Sequence, residues 1–212
     1  MRTWHIARAN IRRSRSPRVY NRFFKEPSVR TYVGDIWRLV GEGYHAVIPV
    51  NIGWRSDGTN VMGKGLALQA RYRYPECEAW LGRAQRNMAS AIIDTGIENK
   101  GSPTLAHHWI FAYPDGPLIF MPTKPLNWDA PWISWKGFAD AELVCFGLTA
   151  LPELAQEKGI EKIVVPLVGA GLGGLDPGQV EKMIREILGK DSRFVFVIPK
   201  ELALKGKTGW RN

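Results

Sequence analysis

Cysteine is nearly absent from this sequence. Cys77 and Cys145 are the two among 212 residues, far apart and with no His or Cys at metal-ligand spacing beside either. That scarcity argues against a disulfide framework and a zinc site, and makes a reducing cytosol the expected compartment. Long apolar runs are missing too: none approaches the ~20 residues of a membrane span, and no apolar stretch follows the charged N-terminus as a secretory signal requires. An Arg-rich mitochondrial-type presequence is compatible with the composition. Acidic residues are scarce in one place only. Residues 1–30 hold nine basic side chains against Glu26 alone, a local charge of +8, whereas the whole chain carries +9. The rest of the chain is therefore nearly neutral.

What is present is ordinary for a folded soluble protein, with 45% hydrophobic and 23% charged residues. The length suits one domain with an appendage. We expect a basic extension over 1–28, carrying a short strand at Thr3–Arg8 and the basic run Ile11–Arg18, then a compact domain over 29–200 and a tail over 201–212. The extension is expected to bind nucleic-acid phosphates non-specifically or to remain a solvated arm.

Strand and helix signals alternate along the domain. Val29–Val33, Ala46–Val50, Ala89–Ile93, His108–Tyr113, Leu118–Met121, Lys162–Leu167 and Arg193–Ile198 read as strands. Met62–Tyr74 and Glu76–Met88 read as helices, the first with Leu66, Ala67, Ala70 and Tyr74 on one face and Pro75 as its stop. Lys136–Lys158 reads as a helix with Phe138, Ala141, Cys145 and Leu148 aligned, kinked or divided by Pro152. Gln179–Leu188 turns Val180, Met183, Ile184, Ile187 and Leu188 inward. The alternation predicts an α/β layered fold with a largely parallel sheet.

The most informative segment is Val164–Pro177, where a strand runs into Gly169, Gly171, Gly173 and Gly174 and then into a helix capped by Asp176 and opened by Pro177. Glycines let the backbone turn and approach a ligand closely, so the loop predicts an anion, with a pyrophosphate as the natural guest. Gly169, Gly171 and Gly174 also match the dinucleotide fingerprint G-x-G-x-x-G. A dehydrogenase would place that fingerprint at the start of its fold, however, and here one strand follows it. A second glycine segment, Asn51–Gln69, links another strand end to a helix start, and Gly34-Asp35-Ile36 follows the first strand of the domain. Loops at the carboxyl ends of parallel strands face one crevice.

Gly34-Asp35-Ile36, Val61-Met-Gly-Lys-Gly-Leu-Ala-Leu-Gln69, Pro122-Thr-Lys124 and Gly169-Ala-Gly-Leu-Gly-Gly-Leu175 resemble, in order, the motifs of a macrodomain. The subgroup most similar is the DarG-type DNA ADP-ribosyl glycohydrolase, related to the human terminal ADP-ribose protein glycohydrolase. The resemblance spans about Val29 to Ile198. It implies a three-layer α/β/α fold with a mixed, largely parallel sheet, and a cleft for ADP-ribose. By the resemblance, Asp35 would accept from the adenine amino group with Ile36 beside it, unless Asp35 merely caps a helix. Asn51 would face the distal ribose, with Met62, Gly63, Lys64 and Gly65 along it. Gly169, Ala170, Gly171, Leu172, Gly173 and Gly174 would cradle the diphosphate, and Thr123 would join the ligand-binding set.

The resemblance makes Lys124 the catalytic residue, a partly desolvated lysine that attacks the anomeric carbon of an opened ribose. In the human relative an aspartate assists from the position of Gly173, and the DarG-type pattern has glycine there, which favours a DNA-directed enzyme. Trp54–Asn60 lengthens the first loop, and Asn127–Trp135 is spaced unlike the family segment. Trp128, Trp132 and Trp135 either stack on an unpaired base or pack in the core. His107-His108 is read as incidental, since neighbours on a strand point to opposite faces. The expected function is removal of ADP-ribose from a base in single-stranded DNA, in an antitoxin-like setting with a cognate ADP-ribosyltransferase. A reader module without catalysis and a hydrolase of free ADP-ribose derivatives or ADP-ribosylated protein are the alternatives. No cofactor, metal or membrane partner is expected.

Overall fold

A computed structural model describes residues 29–95 and 107–203. The basic extension 1–28 and its strand lie outside the described residues, as does the tail from residue 204 on. The elements run β1 (Arg30–Val33), α1 (Ile36–Gly41), β2 (His45–Asn51), α2 (Gly65–Arg73), α3 (Cys77–Asp94), β3 (Phe111–Ala112), β4 (Leu118–Lys124), α4 (Ala141–Glu157), β5 (Ile163–Val165), α5 (Pro177–Leu188) and β6 (Phe194–Ile198). The six strands form one sheet in the order β1-β6-β5-β2-β4-β3, parallel except for β3 against β4.

Strand alternation divides the core into two layers. Val47, Ile119, Met121, Ile163, Val165, Phe194 and Phe196 pack on α4 and α5 through Val144, Leu148, Leu151, Val180, Ile184 and Leu188. Ala46, Ile48, Phe120, Val164, Val195 and Val197 face the other way, onto Ile36, Leu39, Ala67, Ala70, Cys77 and Leu81 of α1, α2 and α3. Helices on both faces of the sheet give the expected three-layer α/β/α arrangement, and the sheet is mixed and largely parallel as expected.

Several boundaries differ from the sequence reading. Ala89–Ile93 is the last part of α3, not a strand, because Leu81, Gln85, Ala89 and Ile92 are buried at helical spacing. His108–Tyr113 yields only the two-residue β3, preceded by a 3₁₀ turn at 107–109. In that turn the two histidine rings lie 3.7 Å apart, centroid to centroid, so the argument from opposite strand faces does not apply. Helix α4 starts at Ala141 rather than Lys136, because Asp140 caps it by accepting from Leu143 N at 2.8 Å. Its inward face is Val144, Leu148, Leu151 and Ala155. Phe138 precedes the helix and Cys145 is exposed, so their alignment with the core does not hold. Pro152 sits inside α4 without dividing it.

Candidate active site

Parallel pairing of β4, β2 and β5 brings their carboxyl ends side by side, and a cavity of about 640 Å³ opens over them. Of the sequence-predicted residues, Asn51, Gly63, Lys64, Gly65, Thr123, Lys124, Gly169, Gly171, Leu172 and Gly173 line it. Asp35, Ile36, Met62, Ala170 and Gly174 are not in the lining. Ile36 and Met62 are buried core residues. Asp35 is exposed and caps α1, its Oδ1 accepting from Trp37 N at 3.0 Å. Its position still follows from the sheet order. β1 lies three strand spacings from β2, roughly 14 Å along the carboxyl edge, with the glycine loop after β5 between them.

Lys124 is the last residue of β4, which continues three residues beyond the expected Met121. A register irregularity there pairs Val50 with Pro122 and Asn51 with Lys124, so Thr123 is the extra residue. Bulges at strand ends re-aim side chains. Here the bulge seats Asn51 and Lys124 as neighbours across two strands at the cavity floor, while Thr123 Oγ1 donates to Val50 O at 3.2 Å. Lys124 Nζ donates to the carbonyl oxygen of Trp135 at 2.8 Å. Desolvation in the cavity lowers the Lys124 pKa from the ordinary lysine value. The ionisable lining groups are Lys64, Lys124 and Lys136, with no carboxylate among them. Such a site attracts an anion.

Asn51 is held from both ends. Its Nδ2 donates to Val61 O at 2.9 Å, and its Oδ1 is buried and accepts no hydrogen bond among the described residues. A buried acceptor without a donor costs about 1–3 kcal/mol. The Asn51 carbonyl accepts from Asn60 Nδ2 and from Gln85 Nε2, and Gln85 Oε1 accepts from Gly53 N and from Asn60 Nδ2. Asn60 and Gln85 are fully buried. The lengthened loop Trp54–Asn60 is thus tied to α3, with Arg55 also paired to Glu78 at 2.8 Å. Sequence reading missed this pair, although a glutamine on the apolar stripe of a helix is the signal that finds it. Gln85→Ala leaves Gly53 N unpartnered and removes a bond to the Asn51 carbonyl. We expect a loss of about 3 kcal/mol and a melting temperature lower by roughly 6–12 °C. A shift under about 2 °C contradicts the network's role.

The glycine loop is shaped by its own backbone. Gly169 and Gly174 have φ of 78°, in the region that side chains rarely occupy. Leu175 N donates to Gly169 O at 3.1 Å and Gly174 N to Gly171 O at 3.1 Å. The N–H groups of Gly171, Leu172 and Gly173 donate to no other group among the described residues. Consecutive unpaired amides form an anion nest. The helix dipole contributes less than the sequence pattern implies, since Asp176 already accepts from Gln179 N at 2.8 Å and caps α5. At Gly173 a Cβ would overlap the Gly169 carbonyl oxygen and approach Ala139 Cβ to 2.7 Å, whereas at Gly171 it meets nothing. An aspartate at 173, as in the human relative, does not fit this loop.

Residues 131–140 close one side of the cavity. Pro131–Lys136 is a 3₁₀ helix, and beyond it Ala139 N donates to Gly173 O at 2.9 Å and Asp140 N to Thr123 O at 2.8 Å. Trp135 and Lys136 join the lining. Trp128 packs half-buried against a small cluster with Ile52 and Leu143, while Trp132 and Trp135 are exposed. Core packing thus holds for Trp128, while Trp132 and Trp135 stand at the surface.

No family model matches the chain. The DNA ADP-ribosyl glycohydrolase of Mycobacterium tuberculosis is 34% identical over 126 residues, 58% of this chain and 30% of the relative. A DNA ADP-ribosyl transferase-DNA ADP-ribosyl glycohydrolase fusion protein of Thermosipho africanus is 28% identical over 129 residues, 55% of this chain and 29% of that one. The match thus spans about a third of the length of these relatives. The solved macrodomain of Mycobacterium tuberculosis DarG is 28% identical, with a TM-score of 0.52 over 80% of this chain and 97% of that one. The chain has the macrodomain fold, and its homologues are DarG-type DNA ADP-ribosyl glycohydrolases.

Proposed function

We propose that this chain is an ADP-ribosyl glycohydrolase that frees a base of single-stranded DNA from ADP-ribose with Lys124 as nucleophile. The observation that carries the reading is the meeting of Lys124, Asn51 with its unpaired acceptor, and the glycine nest in one cavity. Sheet order supports one direction for the ligand. Asp35, the loop Gly169–Gly174, Asn51 and Lys124 follow one another along the carboxyl edge, which matches adenine, diphosphate, distal ribose and anomeric carbon. Lys64 neutralises the diphosphate.

The unprotonated Nζ of Lys124 attacks the anomeric carbon, the bond to the base breaks, and the base departs with a proton. The glycosylamine so formed opens to an imine as the bond from the anomeric carbon to the ring oxygen breaks and that oxygen takes the N–H proton; water then adds to the imine, which releases ADP-ribose and restores the amine. Trp135 O, an acceptor for the lysine N–H, aims the lone pair without supplying a charge that would hold the amine protonated. The names of the homologues, and the transferase fused to one of them, support DNA as the substrate and a cognate ADP-ribosyltransferase as partner. Release of ADP-ribose from a modified single strand, with little from ADP-ribosylated protein, is the expected result. Tight binding of free ADP-ribose without release from either substrate would instead make the chain a reader module.

A further inference from the structure

Aromatic side chains are exposed along residues 132–138, the segment whose Trp135 and Lys136 line the cavity: Trp132 is 57% exposed, Trp135 42% and Phe138 82%. They recur every third residue. In a 3₁₀ helix, residues three apart lie on one face, so Trp132 and Trp135 share a face of Pro131–Lys136 and Phe138 follows next to Gly174. The segment beneath them is well anchored. Ser134 is buried and its Oγ accepts from Asn127 N at 2.9 Å, and Gly53 approaches so closely that a Cβ there would overlap the Pro131 carbonyl oxygen. These rings are thus displayed on fixed backbone rather than left over from a loose loop. Lys136 Nζ lies 5.7 Å from the Trp135 ring, and the carbonyl of Trp135 is the acceptor for Lys124.

We infer that Trp132 and Phe138, continuing from Trp135, are a stacking platform for the bases flanking the modified nucleotide, with Lys136 meeting the strand phosphate. Bases stack on exposed rings without regard to sequence, and a lysine beside them matches a nucleic-acid backbone rather than an apolar peptide. This rests on the glycohydrolase reading for the position of the modified base. The platform extends that reading outward from the cavity, to a strand rather than a lone nucleoside.

The test uses the full chain and the double variant Trp132→Ala/Phe138→Ala, with Trp132→Phe/Phe138→Trp as the conservative control. Binding of an unmodified single-stranded oligonucleotide is compared with an abasic strand of equal length at high salt, where phosphate contacts are screened. The parent is expected to prefer the strand with bases by about tenfold or more, the alanine variant to lose the preference, and the aromatic variant to keep it. An equal preference in parent and alanine variant, or none in the parent, overturns the platform. Turnover adds a second readout: kcat/KM on an ADP-ribosylated strand falls about tenfold in the alanine variant, while the dissociation constant of free ADP-ribose is unchanged. If turnover falls instead on ADP-ribosylated protein, the face docks protein and the proposal fails. A parent that hydrolyses neither substrate, yet shows the base preference and loses it in the alanine variant, sinks the glycohydrolase reading and leaves the platform standing.

Discussion

Lys124→Ala is expected to lower release of ADP-ribose from a modified strand by at least about a thousandfold, while free ADP-ribose binds within a few fold of the parent. Loss of a nucleophile that forms the covalent intermediate removes the reaction path, not merely one contact along it. In the proposed binding mode the affinity for ADP-ribose comes from elsewhere, from the loop amides, Asn51 and Lys64, which line the same cavity. Lys124→Arg should be as inactive as the alanine variant, since a guanidinium keeps its proton and cannot attack. The pH profile follows from the same geometry. Burial disfavours the ammonium and lowers the lysine pKa below 10.5, so the neutral amine accumulates at lower pH than in a solvent-exposed lysine. The rate in the parent therefore rises with pH through a pKa below 10.5 and then levels. An activity that survives in Lys124→Ala removes this lysine from the chemistry.

Gly173→Ala carries the second large effect. A methyl group at this position would overlap the Gly169 carbonyl oxygen and press on Ala139, both of them part of fixed backbone or tightly packed structure. The loop must open, which also strains the Ala139 N to Gly173 O bond that joins it to residues 137–140. Overpacking of this kind costs about 1–3 kcal/mol, and the nest formed by the Gly171, Leu172 and Gly173 amides loses its shape. ADP-ribose affinity is expected to fall about 30- to 100-fold, measured by calorimetry. Gly41→Ala, at the end of α1 and outside the cavity lining, is the control, because a Cβ there meets nothing within 4 Å. It should bind ADP-ribose within about threefold of the parent. If both variants bind alike, the loop does not shape itself around the anion as described.

The layered fold was legible because its signals are local. β-branched runs ended at glycines, α5 showed Val180, Ile184 and Leu188 at helical spacing, and Asp176-Pro177 marked its start. Where reading failed, tertiary packing decided. Ala89–Ile93 has strand composition, yet Ala89 and Ile92 continue the buried stripe of α3. The early end of β4 at Met121 reflects Pro122, which lacks an N–H donor but is accommodated beside the bulge at Thr123. The start of α4 was misplaced because Phe138 is apolar at helical spacing, while Asp140 supplies the cap that sets the boundary.

The site was legible in part for a similar reason. Glycines and Lys124 stand in motifs that can be read along the chain. Lys136 and the Asn60–Gln85 support of Asn51 depend on segments that meet only in the fold. Asp35 shows the reverse case: its motif was readable, but its side chain caps α1 outside the cavity lining.

Reductive trapping examines the covalent bond between Lys124 and the ribose. The parent is incubated with an ADP-ribosylated single strand in the presence of cyanoborohydride, digested and examined by mass spectrometry. An ADP-ribose adduct is expected on the peptide containing Lys124 and absent from Lys124→Arg. Efficient release of ADP-ribose by the parent with no adduct on Lys124, or with the adduct on another lysine, would contradict it.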